Sequence, residues 1–417
     1  MIHGPIQLRP LQITPVSDEG EERFDFHDSA GIAPDVGVPR EFAPILALCD
    51  GSRDFTAILT ELQSQGHEID APWLEDFFEQ LDEIYLFDSA RFQAREAEIE
   101  AQFAAEITRP SAFAGRSYPK NSVELRAYLS EKLAQGAARL PAASYEAQAV
   151  CGIVTPHIDF HRGGHVEAAS YLPLLENVRA TGKSFDTLVI LGIAHSGVQY
   201  PFCASTQNYA TPFGTMVCDR EVVEDLRAII GPKLTREQLA HRDEHSVEFS
   251  AVFCQMFDEL KPSKIVPILC GGFWESLQTR RLPEDAEPEV AQFIAALREV
   301  TRKHEASGKK VGFIASVDGA HVGTQFGDET RLTPAILEAI ARDDAAWIEA
   351  IESGDKAKFH AHFARNGNVR HVDAHPALYT LMAAFPELRA QKLDYDQAFH
   401  PQQNIVVSFA SLALFGE

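Results

Sequence analysis

Five short runs that are apolar throughout recur along the chain, at residues 149–154, 187–193, 265–270, 311–317 and 405–409. Each is short for a helix and too uniformly apolar for a strand with one wet face, so each reads as a strand covered on both sides. The segments between them, 123–134, 166–178, 221–230, 247–260, 288–304 and 334–352, read as helices. This alternation predicts an α/β domain with a mixed sheet flanked by helices. No internal repeat is present, and neither a Walker-type phosphate loop nor a strand-linked G-x-G-x-x-G occurs, so a nucleotide cradle has no support.

The α/β pattern starts only near residue 111, and charge marks what precedes it. Residues 1–100 hold 22 Asp and Glu against six Arg and no Lys, a balance of −16 out of −24 for all 417 residues. An extended stretch near 13–16 is followed by helical patterns at 41–48, 55–65 and 72–87, with Asp54 and Asp70 as N-caps, Pro72 in a first turn and Gly51 and Gly66 as breaks. Phe55, Ile58, Leu59 and Leu62, then Trp73, Leu74, Phe77, Phe78, Leu81 and Ile84, recur at helical spacing and make one core. Three short helices with terminal β segments, the last near 85–87, predict a winged helix over residues 1–90. Residues 91–110 read as a polar helical linker, and the α/β domain occupies 111–417.

Composition narrows the function classes. With 45% hydrophobic residues the chain can fill sizeable cores. Its acidity disfavours phosphate backbones and anionic membranes, so neither nucleic acid nor membrane is an expected partner. Six cysteines without a C-x-x-C pair point to reduced, cytoplasmic usage, and no stretch approaches the ~18 apolar residues of a membrane span.

Within the first unit, ILALCDGSRDFTAILTEL followed by FFEQLDEIYLF resembles the PqqD-like domains. That resemblance implies a small winged helix that holds a peptide by adding a strand to its sheet. A purely structural appendage is the competing reading, and DNA binding conflicts with the charge.

The histidines are the main functional signal. Of sixteen, His157, His195 and His321 each fall just after a strand run, where open α/β sheets assemble their sites. The clusters HRDEHSVE, with Glu244 and His245, and HVDAH, with His371 and Asp373, add nitrogen and carboxylate groups. A lone histidine is usually a satisfied core side chain or a cap; several at one sheet edge argue for a site. His157, His161 and His165 have the spacing of one helix face, but Gly163 and Gly164 argue against an uninterrupted helix. His157 is therefore the ligand candidate, with His161 and His165 behind it or facing a substrate. The absence of H-E-x-x-H disfavours a zincin protease.

Seven segments resemble the Memo family in that family's own order: FAGRSYPKNSVELRAYL, TPHIDFHRGG, LGIAHSG, YATPFGTMVCD, DEHSVEFSAVF, KIVPILCGG and ASVDGAHVG. The resemblance covers nearly all of 111–417. It implies a fold similar to the LigB-like class III extradiol dioxygenases, with a non-haem iron held by two histidines and a third ligand. It further implies component B of the AmmeMemoRadiSam set, with an AMMECR-like protein and a radical-SAM protein as partners. His157 and His195 match the family's metal histidines, and His245 and His321 its pocket histidines, with Glu244 and Asp318 beside them as acid/base helpers. The family's third ligand, a cysteine four residues before a proline, falls on Val372, which cannot bind a metal. Its neighbours Asp373 and His371 can. Asp373 would complete a two-histidine, one-carboxylate set suited to Fe(II), whereas His371 would give a three-histidine set open to zinc or copper. A metal-dependent oxidoreductase is the expected function. The alternative is a non-catalytic scaffold that keeps the fold and binds a protein or peptide.

Overall fold

The acidic first hundred residues contain a full antiparallel meander where the sequence pattern offers one extended stretch. The computed structural model describes residues 4–18, 21–28 and 30–416 and divides into two compact units, Met1–Ala105 and Glu106–Glu417. In the first, β1 (Gln12–Asp18), β2 (Glu21–His27) and β3 (Val36–Pro39) pair in that order, with Ile13 opposite Phe26 and Phe24 opposite Val38. Helices Ala43–Ala47, Phe55–Ser64, Ala71–Glu83 and Ala90–Ala105 follow. Asp54 caps the second of these by accepting from the Ala57 N–H at 2.9 Å, and Asp70 caps the third by accepting from the Trp73 N–H at 2.8 Å. The third helix ends before residue 87 because Tyr85 takes a left-handed conformation (φ 63°), which turns Phe87 back to bridge with Leu8. Ile58, Leu62, Leu74, Phe78 and Leu81 form the core.

A buried carboxylate closes this unit. Asp28 accepts from the N–H groups of Ala30, Ile32 and Ala33 at 3.0, 3.0 and 2.8 Å and pairs with Arg9 at 3.0 Å. Arg9 in turn donates to the Tyr85 carbonyl and lies over the Phe92 ring. Burial works against the charge on Asp28, and the Ala33 N–H and the Arg9 guanidinium outweigh it, so its pKa lies below the ordinary 3.8.

The second unit carries β4 (Thr108–Arg109), β5 (Val150–Thr155), β6 (Thr187–Ile193), β7 (Phe202–Ala204), β8 (Asn208–Thr211), β9 (Gly214–Met216), β10 (Lys264–Cys270), β11 (Val311–Ser316), β12 (His321–Gly323), β13 (Arg389–His400) and β14 (Ile405–Phe415). Its eight-stranded sheet runs β12-β14-β5-β11-β6-β10-β7, with β13 on β14; β4, β8 and β9 form a small second sheet. The central β5, β11, β6 and β10 are parallel, so their carboxyl ends emerge at one edge, while β14, β12 and β7 are antiparallel additions. Helices cover this mixed sheet, as its apolar strands require. No helix among the described residues is long and apolar enough to cross a membrane.

Two sequence expectations need correction. The glycines at 163 and 164 do not interrupt a helix: Phe160–Ser170 is continuous through them. A Cβ at Gly163 would lie 2.2 Å from Ile158 Cγ2 and 3.2 Å from the Phe409 ring, so the glycine brings the helix close to β14. The single helix expected over 166–178 is two, because Pro173 starts a second, Leu172–Thr181.

Arg109 and Glu248, both fully buried, tie the start of this unit to helix His245–Met256. Glu248 accepts from Arg109, from the N–H groups of Ala112 and Phe113 at 2.9 and 3.0 Å, and from the Tyr118 hydroxyl. Arg109 also donates to the carbonyls of His241 and Glu244.

Glu248→Ala leaves the Arg109 charge buried and unpaired and is expected to lower stability by about 3–5 kcal/mol, measured by urea denaturation. Asp28 contributes to the pH dependence of the first unit. Its depressed pKa contributes stability that is present above pH 3.8 and lost as pH falls through the folded-state value. Asp28→Asn should destabilise the unit by roughly 1–3 kcal/mol at pH 7 and flatten its acid unfolding curve below pH 4.

Candidate metal centre

The parallel strands deliver the site. His157 follows β5, His195 follows β6 and Asp318 follows β11, two residues beyond each strand end. The β5 and β11 ends are tied by the Val317 N–H donating to the Thr155 carbonyl, and Asp318 accepts from the His157 N–H at 3.0 Å. Helix His245–Met256 starts against the β6 end, where Ser246 Oγ accepts from the Ile193 N–H at 3.0 Å. Its N-cap is Glu244, whose carboxylate accepts from the Ser246 N–H.

Asp373 arrives from the other side. Asn368 and His371 both take left-handed conformations (φ 57° and 51°), and the Asn368 amide brackets Val372 by accepting from its N–H and donating to its carbonyl. Val372 is buried in the core. Asp373 then accepts from the Asp318 N–H at 2.7 Å, and His371 lies exposed.

Each imidazole is anchored at Nδ1. His157 Nδ1 donates to the Ser316 carbonyl at 2.9 Å, and His195 Nδ1 faces Glu244 at 3.0 and 3.1 Å. His245 Nδ1 lies 3.2 Å from the same carboxylate. Anchoring Nδ1 fixes the tautomer and leaves Nε2 as the donor atom. His157 Nε2 and Asp373 Oδ2 are buried and stand 3.2 Å apart as an ion pair, with His195 Nε2 3.8 Å from that oxygen and Asp318 Oδ2 3.8 Å from His157 Nε2. Donors that share one first-row ion at ~2.0–2.2 Å lie roughly 3–3.5 Å apart, so the residues present fit a metal. Two groups have ligand atoms within 4.8 Å of one another: His157, Asp318 and Asp373, and the imidazoles His157, His195 and His245.

The electrostatics point the same way. Burial would lower the pKa of His195, but Glu244 and then Asp373 outweigh it and lift it to about 10. His157 is likewise raised, because Asp318 and Asp373 overcome its burial. Burial pushes Asp373 up, but the adjacent imidazoles hold it well below the carboxylate range. Glu244 is held low in the same way by His195 and His245. For His245 burial wins, and its pKa falls below 6.5.

The structure thus gathers His157, His195, His245, Glu244, Asp318 and Asp373. It does not bring His371, which contributes only a backbone carbonyl to His321. His321 is half-exposed beside that turn, bonded through Nδ1 to the carbonyls of Gly319 and His371, and belongs to neither ligand group. His161 and His165, expected near the centre, lie on the helix Phe160–Ser170: His161 is exposed, and His165 pairs with Asp396 at 3.0 Å. The sequence reading gave His245 and Asp318 acid/base roles and missed that each can also act as a ligand. The signal was there in D-E-H-S, a cap followed at once by a histidine.

A mixed α/β fold with a buried His/Asp cluster at its parallel-strand ends defines a protein that could hold one metal ion. The chain belongs to the Memo-like family, whose pattern matches residues 109–413. It is 27% identical to a MEMO1 family protein of Aquifex aeolicus over 417 residues, 98% of this chain and 99% of that one. Other relatives are MEMO1 family proteins of Thermus thermophilus, 29% identical over 68% of this chain and 75% of the relative, and of Methanosarcina barkeri, 31% identical over 63% and 86%. The Aquifex pairing includes the first unit, which the family match leaves without an assigned domain.

Asp373→Ala is expected to abolish tight metal binding and His371→Ala to leave it intact, measured by equilibrium dialysis. Because His195 carries a proton up to about pH 10 in the metal-free protein, metal must displace it. Affinity should therefore rise with pH across the range 6–9, by up to about tenfold per unit for each proton displaced.

Proposed function

We propose that this Memo-family protein binds one divalent transition-metal ion, Fe(II) first and zinc or copper as alternatives, between His157, His195 and Asp373, and acts as a metal-dependent oxidoreductase. The observation that carries the reading is the convergence of two buried atoms, His157 Nε2 and Asp373 Oδ2, at 3.2 Å, with His195 Nε2 3.8 Å from the same oxygen. When bound in such a set, Fe(II) keeps open positions and supplies redox chemistry on a chelating substrate with dioxygen. The chain's own residues do the rest. Glu244 fixes the His195 ring, Ser316 fixes that of His157, and Asp318 positions both His157 and Asp373. His245, whose pKa burial holds below the ordinary 6.5, is placed to take a substrate proton, with Glu244 stabilising the resulting charge. His321 stands at the rim as a second proton carrier.

The finer family reading goes with this: a fold like the LigB-like dioxygenases, and work beside a radical-SAM protein and an AMMECR-like protein. We read the first unit as a PqqD-like winged helix that docks a peptide or partner. Its support is the resemblance at 45–62 and 77–87, the edge strand β1 and the −16 balance, which favours cationic partners. Six cysteines without a disulfide support a reducing, cytoplasmic setting.

Metal analysis of the full chain purified without oxygen tests the centre. About one ion per chain is expected, and His195→Ala should cut it at least tenfold while circular dichroism stays unchanged, since a strand-end loop residue supports little of the core. A wild-type chain that takes up no Fe(II), zinc or copper would overturn the reading.

A further inference from the structure

His195 lines a second feature, a cleft of about 470 Å³ that opens beside the metal centre. Its floor is Gly271 and Gly272, the two residues after β10, and its other walls include Val198, Pro201, Trp274, Glu275 and Glu287. Strand β10 is the parallel neighbour of β6, so floor and His195 leave the sheet at the same edge.

The wall is built to present an aromatic face. Trp274 is 67% exposed, unusual for so large an apolar side chain, yet its indole lies against the backbone of Gly272. A Cβ at residue 272 would come within 2.6–2.8 Å of three indole atoms, so only glycine permits this placement. An indole face open to solvent is a surface on which a cation can sit.

The charge beside it is unspent. Glu289 on the rim is paired with Lys233 at 2.8 Å. Glu275 and Glu287, by contrast, are in no ion pair among the described residues; Glu287 accepts from the Ser276 N–H at 3.0 Å. Burial raises the Glu287 carboxyl above the ordinary 4.5 against the pull of its hydrogen bonds from Ser276, and Glu275 adds a smaller push in the same direction. Arg280 and Arg281, the nearest basic residues along the chain, are turned to the carbonyls of Arg365 and Asp285.

We propose that this cleft is a recognition subsite for an organic cation, an ammonium or guanidinium group on an apolar stem, carried by the ligand that reaches the metal centre. Trp274 takes the cation on its face, Glu275 and Glu287 supply the counter-charge, and Val198 and Pro201 receive the stem. The inference rests on the proposed metal centre for its placement but not for its chemistry: the subsite is complete in residues that bind no metal.

The test uses the full chain carrying Trp73→Phe, so that Trp274 and the buried Trp347 are its only tryptophans. Nα-acetyl-arginine amide is titrated by tryptophan fluorescence and calorimetry, with Nα-acetyl-norleucine amide and Nα-acetyl-glutamate amide as uncharged and anionic counterparts. The arginine compound should change Trp274 emission and bind at least tenfold tighter than either counterpart, with or without bound metal. The Glu275→Gln/Glu287→Gln double variant keeps the Ser276 hydrogen bond and should reduce arginine binding to the norleucine level while metal content stays unchanged. Equal binding of the three compounds, or arginine binding unaffected by the double variant, would overturn the proposal. His157→Ala separates the two readings. Loss of metal with cation binding intact supports the subsite on its own, and metal retained by a wild-type chain that does not discriminate the arginine compound refutes the subsite alone.

Discussion

The buried pair Arg109–Glu248 is the contact on which the second unit's functional edge depends. Two charges taken out of water are costly unless every remaining donor and acceptor finds a partner. Here Glu248 receives two backbone N–H groups and a tyrosine hydroxyl besides the guanidinium, and Arg109 also reaches three carbonyls, of Pro110, His241 and Glu244. One of those carbonyls belongs to Glu244, the residue that opens helix His245–Met256. The chain entering the unit therefore holds in place the turn that supplies a third imidazole and the carboxylate behind His195.

The edge itself comes from strand direction. Because β5, β11, β6 and β10 are parallel, the residues that follow them gather without any one of them being close to another in sequence. Short polar loops then carry His157, His195 and Asp318, while uniformly apolar strands supply a rigid base. The helices supply what loops alone cannot: a cap residue, Glu244, in reach of two rings, and a segment through Gly163 that packs close to β14.

Much of this was legible in the residues, and the exceptions have physical causes. Uniformly apolar runs such as Thr187–Ile193 announce strands covered on both faces, and a histidine two residues later announces an edge. By contrast β13, Arg389–His400, is polar along most of its length and gains its strand form from pairing with β14, so nothing local marks it. The same holds for β2, with four charged residues in seven, whereas β1 shows in the sequence as the extended stretch near 13–16 despite its proline. Gly163 and Gly164 look like helix breakers until the neighbouring Ile158 and Phe409 are in place. Which of Asp373 and His371 faces His157 depends on which way Val372 points, and that follows from two left-handed turn residues and an asparagine bracket that spacing alone does not reveal.

Glu244 has two jobs at once, and this joins two kinds of order. Its carboxylate caps the first turn of helix His245–Met256 and also receives His195 and His245. A change in the charge on those rings therefore alters how firmly the helix start is held, and fraying of that start releases the rings. The amide proton of Ser246, which Glu244 accepts, should then exchange with solvent at a rate that responds to the charge on those rings. An ion held by those rings would therefore share one equilibrium with local unfolding of the helix start.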